Sequence, residues 1–150
     1  MTWTARFLAL SFLAALYSPC LFAHIPKSPW SSIELENAFI NAFLNELGKT
    51  GDFSQRKLQA MTTIGDAFKM LADKLMSSGK SSASNMEALN KAFASSVAEI
   101  AVGRKGRKRE EITADISGAL SRAFLQSTGA VNTQFVHEIS RLINPPECKD

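Results

Sequence analysis

Cysteine and histidine are scarce in this chain, with two of each among 150 residues. Cys20 falls within an apolar N-terminal stretch, so Cys148 is the one cysteine in the remainder. A single cysteine excludes an internal disulfide and predicts a free thiol or an intermolecular disulfide at Cys148. Two histidines and one cysteine are also too few for a typical zinc site. We therefore expect no metal and no cofactor, and a disulfide-stapled carrier of small ligands is disfavoured.

The motifs that mark common enzyme classes are also missing. There is no nucleophile elbow, phosphate-binding loop or spacing of metal ligands. Ser95-Ser96 has no base at a recognisable spacing. His137 precedes Glu138, but adjacent residues of a helix point in different directions. The sequence therefore predicts a protein that is not an enzyme.

No apolar run is long enough for a secure membrane span. The N-terminus has one positive charge before the apolar segment 7–17, and the small residue Ala23 ends a plausible cleavage site. Residues 1–23 are therefore predicted to be a signal peptide, and the protein to be secreted without a membrane anchor. The formal charge of the full chain is +3. One basic run, residues 104–109, suits a solvated loop or a protease processing site, and nucleic-acid binding is not expected of a secreted chain.

Helical spacing of apolar residues recurs along the rest of the chain, and no strand-like alternation is seen. It predicts five helices with short connections, an all-α bundle in residues 24–144 with a short tail at 145–150. The buried faces are expected to include Ala38, Phe39, Ala42, Phe43 and Leu47 in the first helix, Leu71 in the second and Leu142 in the fifth. Four helix starts are predicted: Ser31 and Ser84, in capping boxes with Glu34 and Glu87, and the N-caps Ser54 and Asn132. The predicted helix ends are Gly48, Gly79, Gly129 and Pro145-Pro146.

The segment 88–101 is the predicted centre of the bundle. Its apolar residues Leu89, Phe93, Val97 and Ile100 follow helical spacing, and the other positions are mostly Ala and Ser, which let neighbouring helices come close. We expect the other four helices to surround it. Glu99 lies at the edge of this apolar stripe, so it is either solvated or placed where association would desolvate it.

A series of short motifs occurs in one order along the chain. They are Pro29-Trp30-Ser31-Ser32, Thr50-Gly51-Asp52-Phe53-Ser54, Met61 with Ile64-Gly65, and the segments 92–101, 123–132 and 135–139. This ordered series resembles one known family, the N-terminal domain of spider silk proteins (spidroins), and the resemblance extends over about residues 1–143.

This resemblance implies a five-helix domain at the head of a repetitive silk chain, with other silk proteins as its partners. Such domains keep the stored protein soluble as a monomer near neutral pH and form an antiparallel homodimer on acidification. By position, Trp30 corresponds to a tryptophan that moves between buried and exposed states. Glu99 and Glu138 correspond to carboxylates that become protonated. The implied location is the silk gland lumen and the fibre.

Three charged positions of the family differ in this chain. Arg104 stands where a third carboxylate is expected, and Ala60 and Asn85 replace the aspartate and lysine that attract two protomers in major-ampullate members. The sequence therefore predicts a weaker and less salt-sensitive pH switch. The alternative interpretation is a stand-alone secreted helical binding module without silk repeats. A transcript that runs into Gly/Ala/Ser-rich repeats after Asp150 would favour the silk protein, and a stop codon there would favour the alternative.

Overall fold

The computed structural model describes residues 27–102 and 106–145. The predicted signal peptide, Arg104 and Cys148 lie outside these residues. A 3-10 turn, Pro29–Ser31, precedes five α-helices, and the described residues contain no strand. The helices are α1 (Ile33–Thr50), α2 (Gln55–Ser77), α3 (Ala83–Val102), α4 (Arg109–Thr128) and α5 (Thr133–Ile143). The predicted all-α fold with five helices is confirmed.

Two predicted helix starts are confirmed. Ser54 caps α2 and Asn132 caps α5, and each side chain accepts a hydrogen bond from the backbone N–H three residues later. α5 then ends at Ile143, two residues before Pro145. A proline disfavours the helical conformation of the residue before it, which is consistent with this end.

The predicted start of α1 is wrong by one residue. Ser32 is the N-cap, and its hydroxyl accepts a hydrogen bond of 3.2 Å from the backbone N–H of Leu35. Ser31 belongs to the 3-10 turn, where its hydroxyl donates to the Ser28 carbonyl at 2.8 Å. Because Ser31 is used in this turn, the expected capping box with Glu34 does not form.

The predicted start of α3 is wrong by two residues. The helix begins at Ala83, and the hydroxyl of Ser82, not Ser84, accepts the backbone N–H of Asn85 at 3.2 Å. Glu87 therefore lies inside the helix and forms an ion pair of 2.9 Å with Lys91, one turn later. This second predicted capping box is also absent.

Two of the three predicted glycine ends are confirmed. Gly79 and Gly129 follow α2 and α4 in the left-handed conformation, with φ of 70° and 77°. The prediction for Gly48 is wrong, because α1 continues to Thr50 and the left-handed residue is Gly51, with φ of 71°. The first glycine of this pair is simply helical, and the second reverses the chain.

α1 and α4 pack against each other over the largest helix–helix contact of the fold. α3 packs mainly between α2 and α5. α2 also packs on α1, and α5 also packs on α4. The expectation that α3 is surrounded by four helices is therefore wrong. Its backbone lies against α2 and α5 and touches α4 only slightly, it meets α1 through aromatic side chains, and one side of it is exposed.

The Phe93 side chain of α3 nevertheless reaches the centre of the core. It is 1% exposed. Its ring centroid lies 5.4 to 6.5 Å from five other aromatic rings, those of Trp30, Phe39, Phe43, Phe68 and Phe135. The predicted apolar stripe is thus buried at Leu89, Phe93 and Val97 and half-buried at Ile100, and Phe93 is the member that contacts the other aromatic rings.

Three residues that were predicted to be buried are exposed. Leu71 and Leu142 are 44% and 46% exposed, and Ala38 is also exposed. In α2 the buried position is the neighbouring Ala72. A helix that packs on only one or two partners buries a narrow stripe, so residues at the edge of the periodic pattern stay in solvent.

Candidate functional site

The open side of α3 is the first feature of the candidate site. Ala88, Lys91, Ala92, Ser95 and Glu99 are exposed and recur every one to four residues along this side, which we call the α3 outer face. Three of the five side chains are small, so a second helix could approach this surface closely. α2 and α5 border the face on its two sides.

Glu99 lies in a groove of about 600 Å³ between α2 and α3. Ala60, the position of the missing aspartate, lies in the same groove, together with Arg56 and Lys57. The Lys57 ammonium donates a hydrogen bond of 2.7 Å to the Ala101 carbonyl at the end of α3. Two basic side chains therefore stand next to the position where the resemblance implies an acidic residue.

Glu138 lies in a different groove, between α3 and α5, with Lys91 and His137. The ion pair with Glu87 raises the pKa of Lys91, chiefly through its hydrogen bond, and the charge of Glu138 adds to this effect. Lys91 keeps Glu87 as a partner whatever the charge of Glu138. The structure thus places Glu99 and Glu138 on opposite sides of α3 and does not bring them together.

Trp30 is fully buried under the start of α1. Its indole N–H donates a hydrogen bond of 2.7 Å to the Asn90 side-chain oxygen of α3, and its ring packs on Phe39, Phe68 and Phe93. Asn90 also lines a small groove with Glu138. Trp30 is therefore linked to the surface that holds Glu138 through one side-chain hydrogen bond.

Asn85, at the position of the missing lysine, forms hydrogen bonds within the connection between α2 and α3. Its side-chain amide donates to the Lys80 carbonyl, and its backbone N–H caps α3 through Ser82. The described part of the chain holds no group of three or more His, Cys, Asp or Glu side chains placed to bind a metal. Within the same residues, no helix combines the length and the apolar character needed to cross a bilayer.

Glu36 is a functional candidate that the sequence interpretation missed. Its side chain is buried between α1 and α2, with 1% of the residue exposed, and its Oε2 atom has no hydrogen-bond partner. Burial, followed by the charge of Asp73 and a hydrogen bond with it, raises the pKa of Glu36 to about 7. The positive charge of Lys69 lowers this pKa, but by less than burial and Asp73 raise it. Glu36 precedes Phe39 by three residues, so helical spacing on the apolar stripe could have found it.

Glu46 is the second buried carboxylate of α1, and its environment is the opposite. It forms an ion pair of 2.6 Å with Lys49 and a second one with Arg122 of α4. These contacts, the Lys49 hydrogen bond first, hold the pKa of Glu46 below its ordinary value. The two glutamates of one helix therefore favour opposite protonation states.

The described part of the basic loop, from residue 106 onward, is only partly solvated, in contrast to its predicted character. Arg107 is half-buried and faces three carboxylates, Asp115 at 2.8 Å, Asp52 at 3.5 Å and Glu111 at 3.8 Å. Its guanidinium also lies 5.9 Å from the centre of the Phe53 ring. This arginine ties the start of α4 to the turn before α2, so it has a structural role.

Three comparisons with known proteins bear on this geometry. The family model for the N-terminal region of major ampullate spidroin 1, spider silk protein 1, matches residues 29–145. The N-terminal domain of Latrodectus hesperus MaSp1, solved with a neutralized acidic cluster, is 41% identical, with a TM-score of 0.65, and the match covers 77% of this chain and 82% of that one. The N-terminal domain of A. ventricosus minor ampullate spidroin, solved by NMR at pH 7.2, has a TM-score of 0.68 at 19% identity over 78% and 86% of the two chains.

No curated protein sequence matches the chain. The family model covers most of the described residues, and the MaSp1 domain adds a structure of the same fold at substantial identity. The chain therefore belongs to the spidroin N-terminal domain family, a non-catalytic family of structural silk proteins.

Proposed function

We propose that this domain keeps a stored silk protein soluble as a monomer and forms an antiparallel homodimer through the α3 outer face when the pH falls. The observation that carries the proposal is the open side of α3, with Glu99 in the groove on one side and Glu138 in the groove on the other. A second copy laid on this face would cover both grooves. The membership in the spidroin family supports the same role.

The direction of the pH dependence follows from desolvation. A carboxylate loses favourable hydration when a partner covers it, so a dimer favours the protonated forms of Glu99 and Glu138. Association is then promoted as the pH falls and opposed as it rises. Lys91 remains paired with Glu87 when Glu138 is neutral, so acidification does not leave this lysine without a counter-ion.

The charges on the α2 side make the proposed switch weaker than in relatives that keep the attracting pair. Ala60 and Asn85 supply no opposite charges, and Arg56 and Lys57 make the groove beside Glu99 basic. Complementary charges mainly speed and orient the encounter of two proteins. We therefore expect slower association and a smaller dependence on salt concentration.

Sedimentation velocity at about pH 7 and about pH 5.5 tests the proposal. The test variant carries Glu99→Gln with Glu138→Gln, because glutamine resembles the protonated carboxyl group. The matched control carries Glu34→Gln with Glu110→Gln, two exposed glutamates of α1 and α4 that lie away from the α3 outer face. The test variant should dimerise more readily than the wild type at about pH 7, and the control should not.

Ala92→Arg supplies the opposite perturbation, since it places a charged side chain in the middle of the α3 outer face. We expect this variant to stay monomeric at both pH values with its helical content unchanged. A wild type that is monomeric at both pH values, or an Ala92→Arg variant that dimerises as well as the wild type, would refute the proposed surface.

We further propose that Trp30 keeps the mobility implied by the family. Association would then disturb its hydrogen bond with Asn90, which lines a groove beside Glu138. In a chain with Trp3→Phe, so that one tryptophan remains, the fluorescence maximum should shift between about pH 7 and about pH 5.5. An unchanged spectrum in a sample that dimerises would show that Trp30 stays in place.

Secretion and the role of Cys148 remain predictions from the sequence. We propose that residues 1–23 direct export and that Cys148 forms an intermolecular disulfide. Non-reducing electrophoresis after air oxidation should show a covalent dimer that Cys148→Ser abolishes. A wild type that stays monomeric in this assay, with a thiol that alkylating reagents do not reach, would contradict the second part.

A further inference from the structure

The α1–α2 junction holds a carboxyl group whose environment suits the neutral form. Glu36 is 1% exposed, and its Oε2 atom has no hydrogen-bond partner within the described structure. An ionised carboxylate in such a place would be destabilising, because it would lose its hydration and the charge of Lys69 would compensate for this only in part. A neutral carboxyl group avoids most of this cost.

The charged groups around Glu36 add to the effect of burial. Two negative charges oppose the ionisation of Glu36. The stronger effect comes from Asp73 of α2, and the weaker one from Glu34 of α1. Lys69 of α2 favours ionisation, but its ammonium is 2.7 Å from the Asp66 carboxylate and is shared with it. The 3-10 turn, which packs on the same junction, contributes Pro29, Trp30 and Ser31, none of which titrates in this range.

Glu36 is also a near neighbour along the chain of an aromatic residue that packs on Trp30. The next turn of α1 contains Phe39, whose ring centroid is 5.8 Å from that of Trp30. On the α2 side, Phe68 precedes Lys69 and lies 6.0 Å from Trp30. A change in how α1 meets α2 at Glu36 would therefore act on two of the three aromatic neighbours of this tryptophan.

We infer that Glu36 is a proton-binding switch within the single protomer, which closes the α1–α2 junction when it is neutral and loosens it when it ionises. This switch goes beyond the proposed dimerisation, since it needs no partner chain and uses none of the residues on the α3 outer face. It predicts a protomer that becomes more stable as the pH falls from above 8 to about 5.5. Most small proteins without such a group gain little stability over that range.

The size of the effect follows from linkage. The pKa of Glu36 is about 7 in the folded chain against an ordinary value of 4.5. A raised folded-state pKa gives stability that is present at low pH and is lost as the pH rises towards that pKa. Between about pH 5.5 and pH 8.5 the folding equilibrium constant should fall roughly 30-fold from this group alone.

The experiment uses the full chain with Ala92→Arg, which removes association through the α3 outer face. Carbon NMR of labelled glutamate carboxyl groups follows the Glu36 signal, which is assigned through bonds from the backbone of Glu36. We expect this signal to titrate with a midpoint near 7. A midpoint near 4.5 would overturn the inference, and this measurement on wild-type Glu36 does not depend on how well any Glu36 variant folds.

Urea denaturation across the same pH range gives the energetic readout. Glu36→Gln should flatten the pH dependence of the unfolding midpoint, and Asp73→Asn should move the Glu36 titration to lower pH. Glu110→Gln, an exposed carboxyl group of α4 that is not among the charges acting on Glu36, is the matched control and should leave the pH dependence as in the parent.

A Glu36→Gln variant with the pH dependence of its parent would overturn the inference. The loss of dimerisation in an otherwise wild-type chain would leave these results unchanged. Failure of the proposed dimer and failure of the protomer switch are therefore distinguishable.

Discussion

The close approach of α1 and α2 at Gly65 gives a sharp test of the packing. Gly65 is buried, and a Cβ atom added there would lie 2.8 Å from the Cγ2 atom of Ile40. Glycine to alanine in a helix interior normally gains up to about 1 kcal/mol. Overpacking a tight core contact costs about 1–3 kcal/mol. Because the contact involves a branched side chain within the core, we expect Gly65→Ala to lower the free energy of unfolding by about 1 kcal/mol.

Gly48→Ala is the matched control. Gly48 is also inside a helix, but it is exposed and its added Cβ would meet no atom within 4 Å. Only the helix propensity changes there, so we expect a gain of about 0.5–1 kcal/mol. The same substitution should thus have opposite signs at two positions that differ in the space around them.

Denaturant unfolding of Gly65→Ala, Ile40→Ala and the double variant completes the argument. Ile40→Ala alone should cost about 2–5 kcal/mol, because it leaves a cavity in the core. In the double variant the three Ile40 atoms nearest to the new Cβ of residue 65 are gone, so the two losses should sum to more than the measured loss. A Gly65→Ala variant as stable as Gly48→Ala, or strictly additive losses, would show that α1 and α2 do not meet as described.

Three other substitutions test the core and its polar contacts. Asn90→Ala leaves the buried Trp30 N–H without its acceptor, so calorimetry should show a loss of about 1–3 kcal/mol, whereas an unchanged stability would contradict the hydrogen bond. Phe93→Ala removes the central ring and should cost about 3–5 kcal/mol in urea unfolding, and a loss below about 1 kcal/mol would contradict its central position. Arg122→Ala removes one cation from Glu46, so carboxyl NMR should show a higher pKa of Glu46, and no change would rule out the ion pair.

The sequence predicted the helices more reliably than their first residues. Apolar spacing depends on the whole length of a helix, so five helices could be located from it. The two N-caps that were predicted wrongly fall in runs of serine, at 31–32 and at 81–82 with 84, and each serine can accept the same type of hydrogen bond. Which serine caps the helix depends on the turn before it, as the 3-10 turn shows for Ser31.

The candidate site, like the fold, could be predicted from the sequence only in part. The positions of Glu99, Glu138 and Trp30 could be read from an ordered series of motifs, because the family keeps their order along the chain. The protonation behaviour of Glu36 could not, because it arises from α2 packing over the carboxyl group and from Asp73, 37 residues later in the chain. Helical spacing places Glu36 on the apolar stripe, but only the packed structure shows that burial and Asp73 outweigh the charge of Lys69.

The two buried glutamates of α1 together set a pH range in which the protomer is best stabilised. The pKa of Glu36 is raised to about 7, so its contribution is present at low pH and is lost as the pH rises towards 7. The pKa of Glu46 is lowered, so its contribution is present above the ordinary value of 4.5 and is lost as the pH falls through the lowered pKa. The contribution of Glu46 is therefore in place above about pH 4.5, whereas that of Glu36 declines progressively between about pH 4.5 and pH 7. Acidification within this range would strengthen each protomer while it neutralises carboxylates on the α3 outer face, so the chain need not lose its fold in order to associate.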